Sequence, residues 1–226
     1  MCFSATVSFG ASAVIGTIGL VAFKKSETKP QRFFSMIPLL FSVQQFCEGL
    51  IWVNLTSPEP TFPTPLLTYI FLFFAWIIWP IFIPFTMRLL EQNHTRKKIL
   101  SLMLLIGTVV SAMLIYNLVL YDVTAKASQY HIVYERGSEL RFYWLVQIFY
   151  LLSSTISLFI SSVKRMRYLG AINLVSVVYS FLFFEGSVIS VWCFFAAISS
   201  IMVLVILLGM QKKTDKTTTV VQHGNT

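Results

Sequence analysis

Between residues 180 and 190 the chain reads Ser180-Phe181-Leu182-Phe183-Phe184-Glu185-Gly186-Ser187-Val188-Ile189-Ser190. Apolar sequence extends on both sides of this stretch, from 169 to 210. As a single helix it would be about 60 Å long at 1.5 Å per residue, twice the thickness of a bilayer's hydrocarbon core. The run therefore has to fold back on itself. Glu185-Gly186-Ser187 is the place, because glycine accepts the dihedrals that a tight reversal requires. The break turns one run into two helices and brings the number of apolar segments to seven.

The seven segments fall at 3–23, 33–55, 66–87, 99–121, 142–163, 169–184 and 188–210. Most hold the roughly 20 apolar residues that a membrane-spanning helix needs. Of the 226 residues 56% are apolar and 12% charged, against about 25% charged in an ordinary soluble domain. The expectation is an all-α polytopic membrane protein: one bundle of seven transmembrane helices over 1–210, with a polar, threonine-rich, disordered tail at 211–226. The net charge of +8 invites a nucleic-acid reading. However, the basic residues sit in short clusters between the apolar runs, which suits orientation in a bilayer and argues against nucleic acid.

Those clusters set a direction. Lys24, Lys25, Lys29 and Arg32 follow the first run, and Arg88, Arg96, Lys97 and Lys98 the third. Lys164, Arg165 and Arg167 follow the fifth, and Lys212, Lys213 and Lys216 the seventh. Fourteen of the seventeen basic residues thus share one side, leaving Lys126, Arg136 and Arg141 for the other. By the positive-inside rule the N-terminus is outside and the C-terminus cytoplasmic. No Lys or Arg precedes the first apolar run, so it reads as a retained anchor and not as a cleaved signal peptide. Of the outer loops, 57–65 is proline-rich and stiff, and 122–141 reads as a long solvated connection.

Polar residues inside the apolar runs are the candidates for function. Glu48 is the one carboxylate deep within a run, at about 2.5–3.5 kcal/mol on insertion scales. Gln44 is one helical turn before it, Gln45 three residues before it and Trp52 one turn after it. No Lys or Arg lies in any run to hold its charge, so a neutral carboxyl is expected, bonded to Asn117, Gln147 or Asn173 of other helices, unless a cation enters. Glu185 joins the candidates through the similarity of Phe183-Phe184-Glu185-Gly186 to Phe46-Cys47-Glu48-Gly49, a weak sign of an internal repeat.

Two helices carry further marks. Ser4, Ser8, Ser12 and Gly16 recur at four-residue spacing in the first, which forms a face narrow enough for close helix packing. Pro80 and Pro84 in the third remove two backbone donors, so the carbonyls of Trp76 and Pro80 are expected to lose their partners.

Other chemistries lack their residues. His94, His131 and His223 all lie in loops or the tail, so neither haem nor a histidine-bound metal has ligands inside the bundle. No intramembrane histidine activates a serine, no glycine-rich phosphate loop occurs, and the seventh run lacks a lysine for a retinal Schiff base. Cys2, Cys47 and Cys193 show no metal-binding spacing. No metal and no cofactor is expected.

The opening Met1-Cys2-Phe3-Ser4-Ala5-Thr6-Val7-Ser8-Phe9-Gly10, with Gln44, Gln45, Glu48, Gly49 and Trp52, resembles an uncharacterised family of small bacterial multi-helix membrane proteins that begin MCFSA-x-x-SF. The resemblance implies a multi-helix protein of the bacterial inner membrane and implies no chemistry.

The leading expectation is a protein that binds or moves a small solute or cation through a polar site around Glu48, with the lipid bilayer as its surroundings. The alternatives are a non-catalytic membrane sensor or assembly subunit and, last, an intramembrane enzyme using a cysteine. The chain is not expected to be an enzyme.

Overall fold

The computed structural model describes residues 4–128, 131–137, 143–184 and 186–211. Seven helices in it are long and apolar enough to cross a membrane: α1 (Ala5–Lys25), α2 (Lys29–Thr56), α3 (Thr64–Leu90), α4 (His94–Leu120), α5 (Tyr143–Ile160), α6 (Met166–Phe183) and α7 (Val188–Gln211). Large apolar side chains such as Val119, Leu182 and Phe183 stand exposed on the rim of the bundle, where a bilayer rather than water would suit them. Two apolar cores fill the interior. One, around Ile51, Phe71, Trp76, Leu114 and Cys193, lies toward one end. The other, around Phe34, Phe41, Trp79, Met87 and Ile206, lies toward the opposite end, where the basic clusters gather.

Helix α2 begins four residues before its apolar run because Thr28 caps it. The Thr28 hydroxyl accepts from the Gln31 amide and the Gln31 side chain accepts from the Thr28 amide, the reciprocal arrangement of a capping box. Helix α1 packs along α2 by its small-residue face. Ser12 donates to the Ser42 carbonyl and Ser42 to the Ser12 carbonyl, each at 2.8 Å. A Cβ on Gly16 would lie 2.6 Å from the Ser42 hydroxyl, and one on Gly19 2.8 Å or less from the Leu39 side chain. Ser4 does not join this face; it caps α1, accepting from the Val7 amide.

The connector after α2 is pinned by Asn54, whose amide donates to the Phe62 carbonyl and accepts from the Phe62 amide. The 122–141 segment departs from the expected solvated connection, and from a purely helical chain. Val123–Ser128 (β1) and His131–Arg136 (β2) form an antiparallel hairpin with Val123 opposite Arg136 and Ser128 opposite His131. Strand alternation turns Val123, Ala125, Ile132 and Tyr134 into the first core, and Tyr134 stacks on Phe71 at 4.9 Å. Lys126 and Glu135 pair on the exposed face. This marks the hairpin end of the bundle.

At the α6–α7 reversal Gly186 has φ +84°, the left-handed region that glycine tolerates, and the Ser187 amide donates to the Phe184 carbonyl. Gly49 instead sits inside α2 against the Phe9 ring. The two glycines therefore occupy unlike backbone, and the internal repeat fails there. Glu185 itself, Cys2 and the tail from 212 lie outside the described residues. Gln211, expected as the first tail residue, ends α7, and its side chain donates to the Lys25 carbonyl at the end of α1.

Candidate functional site

Proline decides the local structure of α3. From Phe73 to Ile78 the helix widens to a π turn, in which the Trp79 amide reaches back five residues to the Phe74 carbonyl. The next donor in that register would be Pro80, which has none, and its acceptor would be the carbonyl of Ala75. In that register the Ala75 oxygen has no backbone donor, and the hydroxyl of Tyr150 on α5 donates to it. Ser111 of α4 donates to the neighbouring carbonyl of Ile77 at 3.1 Å. Beyond the π turn the α register returns, so Pro84 leaves the Pro80 carbonyl without a donor. Gly107 of α4 comes so close there that a Cβ would lie 1.8 Å from that oxygen.

The polar residues of α2 are fully buried: Gln44, Gln45 and Glu48 each show no exposed area. One oxygen of Glu48 accepts from the hydroxyl of Ser190 on α7 at 2.6 Å. The other accepts from the Gln45 amide at 3.2 Å. The indole N–H of Trp79 on α3 donates to the Gln44 side-chain oxygen at 2.7 Å. A single polar cluster therefore joins α2, α3 and α7 at mid-bundle. Among the described residues the Gln44 side-chain nitrogen and the Gln45 side-chain oxygen have no hydrogen-bond partner.

Trp52 does not belong to this cluster. It packs with Leu67, Phe71 and Leu72 in the apolar core nearer the hairpin, and its indole nitrogen makes no hydrogen bond among the described residues. The partners expected for Glu48 are also elsewhere. Asn173 on α6 accepts from the Trp192 indole at 2.8 Å and donates to Thr155 at 3.2 Å. Among the described residues neither side-chain polar atom of buried Asn117 has a hydrogen-bond partner. Gln147 lines a cavity. Ser190 takes the role, and its local signal is the spacing Ser190, Cys193 and Ala197, which puts three small buried residues on one face of α7.

Two cavities adjoin the cluster, of about 50 and 60 Å³. The first lies toward the basic end and is walled by Phe41, Trp79, Leu169, Ser199 and Val203 among others. The Phe41 and Trp79 rings there are stacked at 3.7 Å. The second lies toward the hairpin end, between Trp76, Tyr143, Phe181 and Val188. Tyr150, Trp192 and Cys193 belong to both walls. Among the described residues no three His, Cys, Asp or Glu side chains converge as a metal would need.

The class these features define is a helical-bundle protein with seven helices apolar enough for a membrane and a buried polar joint at their centre. Within that class the chain belongs to the family of unknown function DUF6629, which it matches over residues 1–219. No curated protein and no solved structure matches it.

Proposed function

We propose that this is a multi-pass protein of a bacterial inner membrane that binds a small uncharged solute and passes it between the two sides. The hairpin end faces outward and the basic end faces the cytoplasm, as the fourteen-to-three division of basic residues requires. The observation that carries the reading is the junction of polar cluster and cavity. Gln44 holds Trp79, which is a wall residue of the first cavity. Glu48, through Ser190 and Gln45, fixes the α2–α7 contact on which those walls depend. A carboxyl group at that depth is costly unless hydrogen bonds or a function offset it. Here it shapes the site without lining it. An uncharged solute is favoured over a cation because neither cavity wall carries an ionisable carboxylate or a basic side chain. The role is binding and passage, not catalysis.

The test is thermal unfolding of the purified protein in detergent with a panel of small alcohols, amides and polyols, beside sodium and potassium salts. A ligand at 100 times its Kd adds about 2.7 kcal/mol of stability. The expected result is stabilisation of the wild type by at least one uncharged solute and at least roughly tenfold weaker binding in Glu48→Gln, because the amide cannot accept from both Ser190 and Gln45 with the same geometry. Stabilisation by cations alone, or equal solute affinity in the two proteins, would overturn the reading.

A further inference from the structure

The two cavities are separated by very little. Tyr150 and Trp192 meet edge to face with ring centroids 5.4 Å apart, and together with the Cys193 thiol they belong to both walls. One cavity extends from this partition toward the basic end, the other toward the hairpin end. A water molecule needs about 10–15 Å³ of such space, so each cavity takes a few waters or a solute of a few non-hydrogen atoms. The walls are aromatic and aliphatic, with neutral polar groups only: Asn173, Ser154 and Ser199 on one side, Gln147 on the other.

Both partition side chains are held by a hydrogen bond to a neighbouring helix. The Trp192 indole donates to Asn173 of α6. The Tyr150 hydroxyl donates to the Ala75 carbonyl, which the π turn and Pro80 leave without a backbone donor. That carbonyl is part of an irregular helical turn rather than of a continuous hydrogen-bonded ladder, so a tyrosine can leave it without unwinding α3. π turns inside helices are frequent where a protein has a functional need for such irregularity.

We infer that the two cavities are halves of one passage for a small uncharged solute, shut at mid-bundle by Tyr150 and Trp192, with the Tyr150 hydroxyl latched on the Ala75 carbonyl. The inference rests on the proposed function for its solute, but its geometry is read without one. Releasing the latch joins the cavities, so whatever enters either one reaches the Cys193 thiol that lines both more readily. An open passage of this lining admits neutral molecules and rejects ions, since no charged group stands in it to replace an ion's hydration.

Cys193 supplies the readout. In a Cys2→Ser, Cys47→Ser background it is the one remaining thiol. Its modification in the folded, vesicle-reconstituted protein is followed by mass spectrometry, using methyl methanethiosulfonate as a small neutral probe and its trimethylammonium-ethyl analogue as a charged one. The neutral probe is expected to modify Cys193, and about fivefold faster in Tyr150→Phe, the population shift expected of one lost hydrogen bond. Asn173→Ala, which releases Trp192 from the other side, is expected to act in the same direction. The charged probe is expected to react in neither. Unchanged rates in both variants, or equal reaction with the charged probe, would overturn the passage. Labelling needs no bound solute, so absence of solute stabilisation would sink the proposed function while leaving this result readable. Conversely, solute binding with an unlatched but unreactive Cys193 would sink the passage alone.

Discussion

Replacing Gly107 by alanine adds a single methyl group and should be among the more damaging small changes in the bundle. A Cβ there would sit 1.8 Å from the Pro80 carbonyl oxygen, 2.7 Å from its carbon and 3.2 Å from the Ser153 Cβ. A close but acceptable carbon–oxygen contact is about 3.3–3.6 Å, so α4 has to retreat from α3 by roughly 1.5 Å. The clashing atoms are backbone and cannot rotate away. Three quantities set the magnitude. Overpacking of this kind costs about 1–3 kcal/mol. The Pro80 oxygen has lost its helical donor to Pro84; withdrawing α4 also deprives it of the glycine Cα–H, a contact worth about 0.5–1 kcal/mol. Against these, alanine favours the helix over glycine by about 1 kcal/mol. The net is a destabilisation of about 0.5–3 kcal/mol. On the scale of soluble domains of this size that is roughly 1–12 °C in Tm. Thermal unfolding in detergent measures it, with Gly10→Ala as the internal reference: nothing lies within 4 Å of a Cβ at Gly10, so that variant should be neutral or slightly more stable. If Gly107→Ala unfolds at or above the wild-type temperature, the close approach of α4 to the proline-broken turn is not a packing constraint and the reasoning fails.

Three further outcomes follow from the same physics. Glu91, buried at the basic end, accepts from the Gln92 and Asn93 amides and from both the amide and the hydroxyl of Ser162; burial pushes its carboxyl up, but the hydrogen bonds from Asn93, Ser162 and Gln92 outweigh it and the net shift is down. Its stabilising share is therefore present above the ordinary carboxylate range and lost as pH falls through the lowered folded-state value, so melting temperature should drop on acidification, and Glu91→Gln should flatten that slope while lowering stability at pH 7. Ser12→Leu should push α1 from α2 and cost about 1–3 kcal/mol, whereas Ser12→Ala with Ser42→Ala should cost less than the two single changes added, because the pair shares its reciprocal bonds; a double-mutant cycle in denaturant reads the coupling. For the orientation, Thr61→Cys in the proline-rich connector should react with an impermeant thiol reagent from outside intact cells, and reaction from the cytoplasmic side alone would reverse the proposed topology.

The seven-helix architecture was legible because bilayer thickness and helix rise leave so few solutions. A continuous apolar run from 169 to 210 has to reverse, and Gly186 is where its backbone takes a positive φ. The small-residue face of α1 was legible for a similar reason: spacing alone decides which side chains align. The hairpin was not. Its alternation is present in Val123 and Ala125 and in Ile132 and Tyr134, but each strand is six residues long and the outward positions carry Lys126 and Glu135, so the segment reads as a solvated loop. The π turn was missed because a proline states which donor is absent, not which register the preceding turn adopts. In that register Pro80 takes the donor from the Ala75 carbonyl, and a hydroxyl of α5 satisfies it.

Within the site, the sequence named Glu48 and its glutamines on energetic grounds, but not their partners. Ser190 lies 142 residues away from Glu48, and one serine among many gives no local sign of the acceptor it will find. Asn173, the bulkier and more conspicuous amide, is bonded to Trp192 and Thr155 instead. The distinction matters physically. The contacts of α1 with α2, and of Gly107 with Pro80, are close approaches of backbone and small side chains, and a shift there meets steric repulsion at once. The contacts that join α2, α3, α5 and α7 at mid-bundle are side-chain hydrogen bonds: Glu48 with Ser190, Gln44 with Trp79, and Tyr150 with the Ala75 carbonyl. Each can be exchanged for another donor or a water at modest net cost. The bundle is thus stiff where helices touch through glycine and serine, and exchangeable where they touch through polar side chains. Both cavities lie against the exchangeable part. A protein that only needed to be stable would gain by filling that centre with close-packed apolar residues; keeping it polar, hydrogen-bonded and partly hollow is what a centre that has to rearrange around a small guest requires.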